Sequence, residues 1–102
     1  MNLSKIPQHM HEGVRAYVDH GQRPGSFLWS ILCNDLVHAA AHADVQNRQC
    51  LFDWACLLYH DLPIASWGSA EQVEAWIAHK GREMMSPAQK AWEETIADRS
   101  EG

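Results

Sequence analysis

Apolar residues recur at helical spacing along almost all of this chain, and residues that open or close helices interrupt them at short intervals. Pro7 precedes Met10, Val14, Tyr17 and Val18, which share one face. A helix is predicted from about Pro7, where the missing proline N–H costs nothing. Gly21 is its stop, because glycine accepts the left-handed conformation that ends a helix. Ser26 is placed to cap the next helix. Ser69 and Gln72 have capping-box spacing ahead of Val73, Trp76 and Ile77, with Gly81 as the stop. Ser86 and Pro87 open a C-terminal helix over about 87–99. Its Ala88, Ala91, Trp92, Thr95 and Ile96 share a face, while Glu93, Glu94 and Asp98 lie elsewhere. Alternating β-branched runs and Asn-Gly or Asp-Gly hairpin turns are both absent. The chain is predicted to be all-α, one small bundle of about five short helices.

Two stretches need more than pattern counting. In "RPGSFLWSILCNDL", residues 23–36, the polar pair Asn34–Asp35 arrives before the apolar stripe of Phe27, Leu28, Ile31 and Leu32 has finished. An unbroken helix at roughly 100° per residue would bring Asp35 to about 80°, inside a stripe spanning about 140°. A bare buried carboxylate is costly. Either Asp35 caps a new helix after a bend at Cys33–Asn34, or it is buried against Arg15 or Arg23. The cap is preferred, since Leu36, Ala40 and Ala43 begin a fresh stripe. The second stretch follows Asp44, which is placed to cap a helix over 45 to about 61. Val45, Leu51, Phe52, Trp54, Ala55, Leu58, Tyr59 and Leu62 cover most of its circumference. A helix apolar on most sides is predicted at the centre of the bundle.

At 102 residues the chain has the size of a single domain, able to bury roughly 60–70 % of its unfolded surface without metal or disulfide. Its formal charge of −5 lies wholly in the second half, where four Lys/Arg face nine Asp/Glu; the first half balances at four each. An acidic chain lacks the positive field that phosphate backbones attract, so direct nucleic-acid binding is not expected. Three cysteines, an odd number in apolar stretches, read as small buried hydrophobes in a reducing compartment. No segment approaches the roughly 20 apolar residues of a membrane span, nor is there a signal-peptide run. The expected setting is cytoplasmic.

Candidate chemistry is sparse. His38 and His42 stand one helical turn apart, as do Cys56 and His60, so four N/S donors from two helices are available to a tetrahedral zinc. The residue after His38 is alanine, where the catalytic zincin pattern requires a glutamate base. The two histidines also lie opposite the Leu36/Ala40/Ala43 stripe, which fits a solvated face better. No phosphate loop is present, no basic setting activates Cys33, Cys50 or Cys56, and no cofactor is expected. Of five tryptophans, Trp54 and Trp76 point inward, while Trp67 in a loop and Trp92 near the C-terminus have no assigned side. Trp29 points away from the stripe of its own helix. Exposed tryptophan in an acidic surround is a common anchor for a protein partner. The candidate contact residues are therefore Trp29, Trp92, Glu93, Glu94 and Asp98.

The pattern "HGQRPGSFL…NDL…AD…N…LFDW…LYHDLP…WGSAEQVEAWI" resembles a group of small, uncharacterised proteins encoded in bacteriophages and prophages. Arg23, Pro24, Gly25, Phe27, Asn34, Asp35, Asp44, Asn47, Trp67, Gly68, Ser69 and Trp76 are among the matching positions. The likeness covers about residues 6–78 and leaves out the His38/His42 pair, the cysteines and the tail from Gly81. It implies a phage accessory protein acting inside a bacterium, with no catalytic role to transfer. By analogy of size and origin, such a protein works by occupying a surface of host machinery, as inhibitors of antiviral defence complexes such as anti-CRISPR proteins do. Two alternatives stand beside this: a metalloprotein using His38, His42, Cys56 and His60, and an acidic mimic of DNA. The C-terminal helix either packs inward or exchanges between two copies of a homodimer.

Overall fold

The structure is a computed structural model that describes residues 1–83. Six helices and no strand occur among the described residues: α1 His11–His20, α2 Ser26–Leu32, α3 Leu36–His42, α4 Val45–Arg48, α5 Leu51–His60 and α6 Ala70–Glu83. The all-α bundle is as the sequence predicts. The expected C-terminal helix, with Trp92, Glu93, Glu94 and Asp98, lies outside the described residues.

A single 3-10 turn, Gln8–Met10, leads into α1, and Pro7 stands just ahead of it with extended backbone (ψ 137°). Val14 and Tyr17 are buried, and Met10 and Val18 pack at the core's edge. Gly21 ends α1 in the left-handed region at φ 69°. A Cβ there would also stand 2.6 Å from Lys80 Cβ and 3.0 Å from the Ile77 carbonyl oxygen, so glycine lets α1 and α6 come together.

Asn34 and Asp35 are both construction. Asn34 takes the left-handed conformation at φ 61°. Its N–H donates to the Ile31 carbonyl at 3.1 Å, and the Asp35 N–H donates to Ser30 at 2.9 Å, closing α2 with the paired bonds of a Schellman end. Asp35 then caps α3, its carboxylate accepting from the His38 N–H at 3.2 Å. The buried alternative is not taken, and Arg23 pairs with Glu74 at 2.7 Å instead. Ser26 is not a cap. Gly25 holds that position, and Ser26 is the first helical residue, its carbonyl accepting from the Ser30 hydroxyl.

The expected helix over 45–61 is two helices. Asp44 caps α4 by accepting from the Asn47 N–H at 2.8 Å, and the chain then breaks at Gln49–Cys50 before α5. The break lets the buried Asn47 side chain accept from Trp54 Nε1 at 3.0 Å, which satisfies an indole N–H inside the core. Trp54 meets Phe27 edge-on at 5.5 Å between ring centres. Trp54, Leu57 and Leu58 point inward, while Phe52, Ala55 and Tyr59 face outward. The most enclosed helix is α2, where Phe27, Leu28, Ser30, Ile31 and Leu32 are all buried. Each fully buried Leu, Ile or Phe contributes about 1.5–3 kcal/mol.

The core closes through α6. Ser69 caps it by accepting from the Gln72 N–H at 3.2 Å, Val73 is buried, and Trp76 Nε1 donates to the Tyr17 carbonyl at 3.2 Å. Gly68, at φ 130°, donates its N–H to the last turn of α2 at Leu32 (2.8 Å). Gly81 does not stop α6, which runs to Glu83. Glycine in a helix interior costs only about 1 kcal/mol, and nothing else in this stretch opposes the helix.

Candidate protein-binding surface

The surface begins at α3, "LVHAAAH". Only Ala39 and the following Ala43 are buried. The expected inward stripe of Leu36, Ala40 and Ala43 is therefore rotated: Leu36 and Ala40 face out, together with Val37 and Ala41. Leu36 is 70 % exposed and Val37 76 %. Packing decides the rotation. α3 follows a tight turn out of α2, so the small Ala39 lies against the core and the larger side chains have no room beneath the helix.

Beside that apolar side, α2 and α3 frame an open cleft of about 440 Å³ lined by Arg23, Pro24, Trp29, Asp35, His38 and His42. Trp29 is half-buried, with its inner side against the core, and the Arg23 guanidinium lies over its ring at 5.3 Å. The expected outward-pointing Trp29 is thus a wall of the cleft. Glu74 holds the guanidinium from below, and this bond keeps the Glu74 carboxyl under its ordinary range. His38 Nδ1 lies 2.6 Å from Asp35 Oδ2. Because a carboxylate only accepts, the proton of that contact sits on Nδ1. The backbone bond from His38, and after it the His38 ring, hold the Asp35 carboxyl below the usual carboxylate range.

The structure does not bring the four metal-site candidates together. His38 and His42 line the α2/α3 cleft, whereas Cys56 and His60 line a separate hollow with Lys5, Phe52, Asp53 and Asp61. Among the described residues, no three His, Cys, Asp or Glu side chains are grouped as a metal would require. Burial pushes the Cys33 and Cys50 thiols upward, with Asp35 and Asp53 next in effect, so both stay protonated at neutral pH. All three cysteines are free and half-buried. Trp67 and Trp76 are half-buried at the core's edge and Trp54 is fully inside, so every tryptophan described here contacts the core.

Sequence reasoning missed the bare side of α3. The available signal was a helix with too few polar residues to cover it: apart from His38 and His42, "LVHAAAH" has nothing hydrophilic to present to water. No helix among the described residues is long and apolar enough to cross a membrane. No family model, curated protein or solved structure matches the chain.

Proposed function

We propose that this protein acts without catalysis, as a phage-derived module that binds and blocks host machinery, an inhibitor of a bacterial antiviral defence complex being the specific form. One observation carries the reading. Leu36, Val37, Ala40 and Ala41 of α3 are exposed together, and the helix's two histidines, His38 and His42, lead from them to a cleft walled by Trp29 and Arg23. Aromatic and arginine side chains next to an apolar patch are the composition of interface centres. A short helix gains nothing in a free monomer from holding Leu36 and Val37 in water. Trp92, Glu93, Glu94 and Asp98 belong to the proposal as a second, acidic contact.

The test uses the whole chain expressed in bacteria that carry a defence system and are challenged with phage. Restored plaque formation, lost with Val37→Asp and with Arg23→Glu while the melting temperature is kept, is the expected result. Protection by both variants equal to the parent would overturn the assignment of this surface. Equal protection by a Trp92→Ala/Glu93→Ala/Glu94→Ala variant would remove the acidic contact.

A further inference from the structure

We infer that the groove between α1 and the connector into α2 is the seat of this chain's own C-terminal segment, residues 87–99, docked there as a helix. The groove holds about 390 Å³. Met10, Gly13 and Ala16 of α1 form one wall, and Pro24, Phe27 and Leu28 form the other. Gly13 is exposed within α1, and a Cβ there would meet only Leu28 Cδ2, at 4.0 Å. Glycine weakens a helix, and nothing among the described residues uses the space it leaves.

The occupant follows from where α6 delivers the chain. Where the two helices touch, α6 runs in the same sense as α1: Trp76 donates to the Tyr17 carbonyl, and Gly21 lies against Ile77 and Lys80. Glu83, three residues beyond Lys80, therefore brings the chain to the end of α1 at which Gln22 opens the groove. Ser86 and Pro87 then restart a helix after residues 84–86. A link that short folds the second helix back antiparallel to the first. Antiparallel to α6 is also antiparallel to α1, so the segment runs from Gln22 toward Met10, along the groove. Glu74 fixes which side of α6 is turned that way, because it holds Arg23 at 2.7 Å. Counting from Val73 at about 100° per residue, Gly81, Glu74 and Ala78 fall near 80°, 100° and 140°. Small residues thus flank Glu74 on the side along which the returning helix must pass.

Length and pattern agree with this seat. A helix over 87–99 is about 20 Å long, and the groove follows α1 from Ala16 to Met10 for about 9 Å. Trp92 comes about 7.5 Å after Pro87, level with Gly13, where the missing side chain leaves room for an indole. Ala88, Ala91, Thr95 and Ile96 share its face, and Glu93, Glu94 and Asp98 stay in water. The inference does not depend on the reading given to α3. It makes Trp92 part of the fold and leaves the acidic contact to the three carboxylates.

Nuclear Overhauser contacts of the Trp92 indole in the full chain, identified by their loss in Trp92→Phe, decide the matter. The expected contacts are with the Met10 and Leu28 side chains, and dilution leaves them unchanged. Contacts with neither would overturn the inference. Contacts found only between labelled and unlabelled copies would show the segment exchanging between chains, and would overturn it equally. Gly13→Leu gives an independent sign. Over an open groove it puts a better helix former at an exposed position and raises the melting temperature. With the segment seated, it expels the indole and lowers the melting temperature by several degrees, a loss that disappears in a Trp92→Ala background. A rise in the parent chain, or the same loss in both backgrounds, would sink the assignment.

Discussion

The tightest constraints in this protein are single buried hydrogen bonds. The Tyr17 hydroxyl donates to the Ser66 carbonyl at 2.6 Å, and both residues are fully buried. Burial pushes the phenol well above its ordinary range, so it donates at any physiological pH. Tyr17→Phe leaves that carbonyl short of its donor, and a loss of about 1–3 kcal/mol is expected in urea unfolding. Asn47→Ala strands the Trp54 indole N–H in the core, and a similar loss is expected, with Asn47→Asp unable to rescue it cheaply because a buried carboxylate must be desolvated. At Asn34 the sign reverses. Its left-handed backbone favours glycine, so Asn34→Gly should hold or raise the melting temperature, whereas Asn34→Val should lower it sharply. A thermal melt in which valine was tolerated would mean that the turn between α2 and α3 is not held as described. The polar character of this pair was legible in the sequence because its bonds reach no further than the flanking turns, from Ser30 to His38.

Element ends follow the same logic, and element faces do not. Asp35, Asp44 and Ser69 each cap the backbone N–H three residues on, and that local chemistry can be read directly from spacing. Gly21 could be read for the same reason; Gly81 misled because glycine permits a helix to end without requiring it. The rotation of α3 and the division of residues 45–60 are different in kind. Which side of "LVHAAAH" turns inward depends on the space α2 leaves beneath it, and the break at Gln49–Cys50 serves a bond from Trp54 that joins two helices. The candidate site was correspondingly half-legible: Trp29 was visible as a residue, while Arg23 over its ring and the bare side of α3 depend on tertiary packing. Gly68 shows how strongly the junction between α2 and α6 is specified. The Gln72 side-chain oxygen that a Cβ there would meet is the free end of an exposed side chain and can swing aside, but φ 130° is strained for any L side chain. Gly68→Ala is therefore expected to destabilise the protein by about 1–3 kcal/mol. Hydrogen exchange should show the first turn of α6 opening before the core of α2.

Across the molecule as a whole, two helix caps share one electrostatic design, which gives stability a definite dependence on acid. Asp35 is faced by His38, and Asp44 by His9 at 2.9 Å. Both carboxyls are held below their ordinary range, first by the capped backbone N–H and then by the histidine. A depressed native pKa means that the unfolded chain takes up the proton first. The stabilisation is therefore complete above the unfolded carboxyl value of about 3.9 and is lost as pH falls below it through the native values. Melting temperature should be flat near neutrality on this account and fall below about pH 4. The decisive comparison is Asp35→Asn/Asp44→Asn. Asparagine caps nearly as well as aspartate but does not titrate in this range, so the double variant should melt close to the parent at pH 7. It should then lose less than the parent between pH 4 and pH 2.5. If the two acid limbs coincide, carboxylates elsewhere carry the acid sensitivity, and the caps of α3 and α4 contribute through geometry alone.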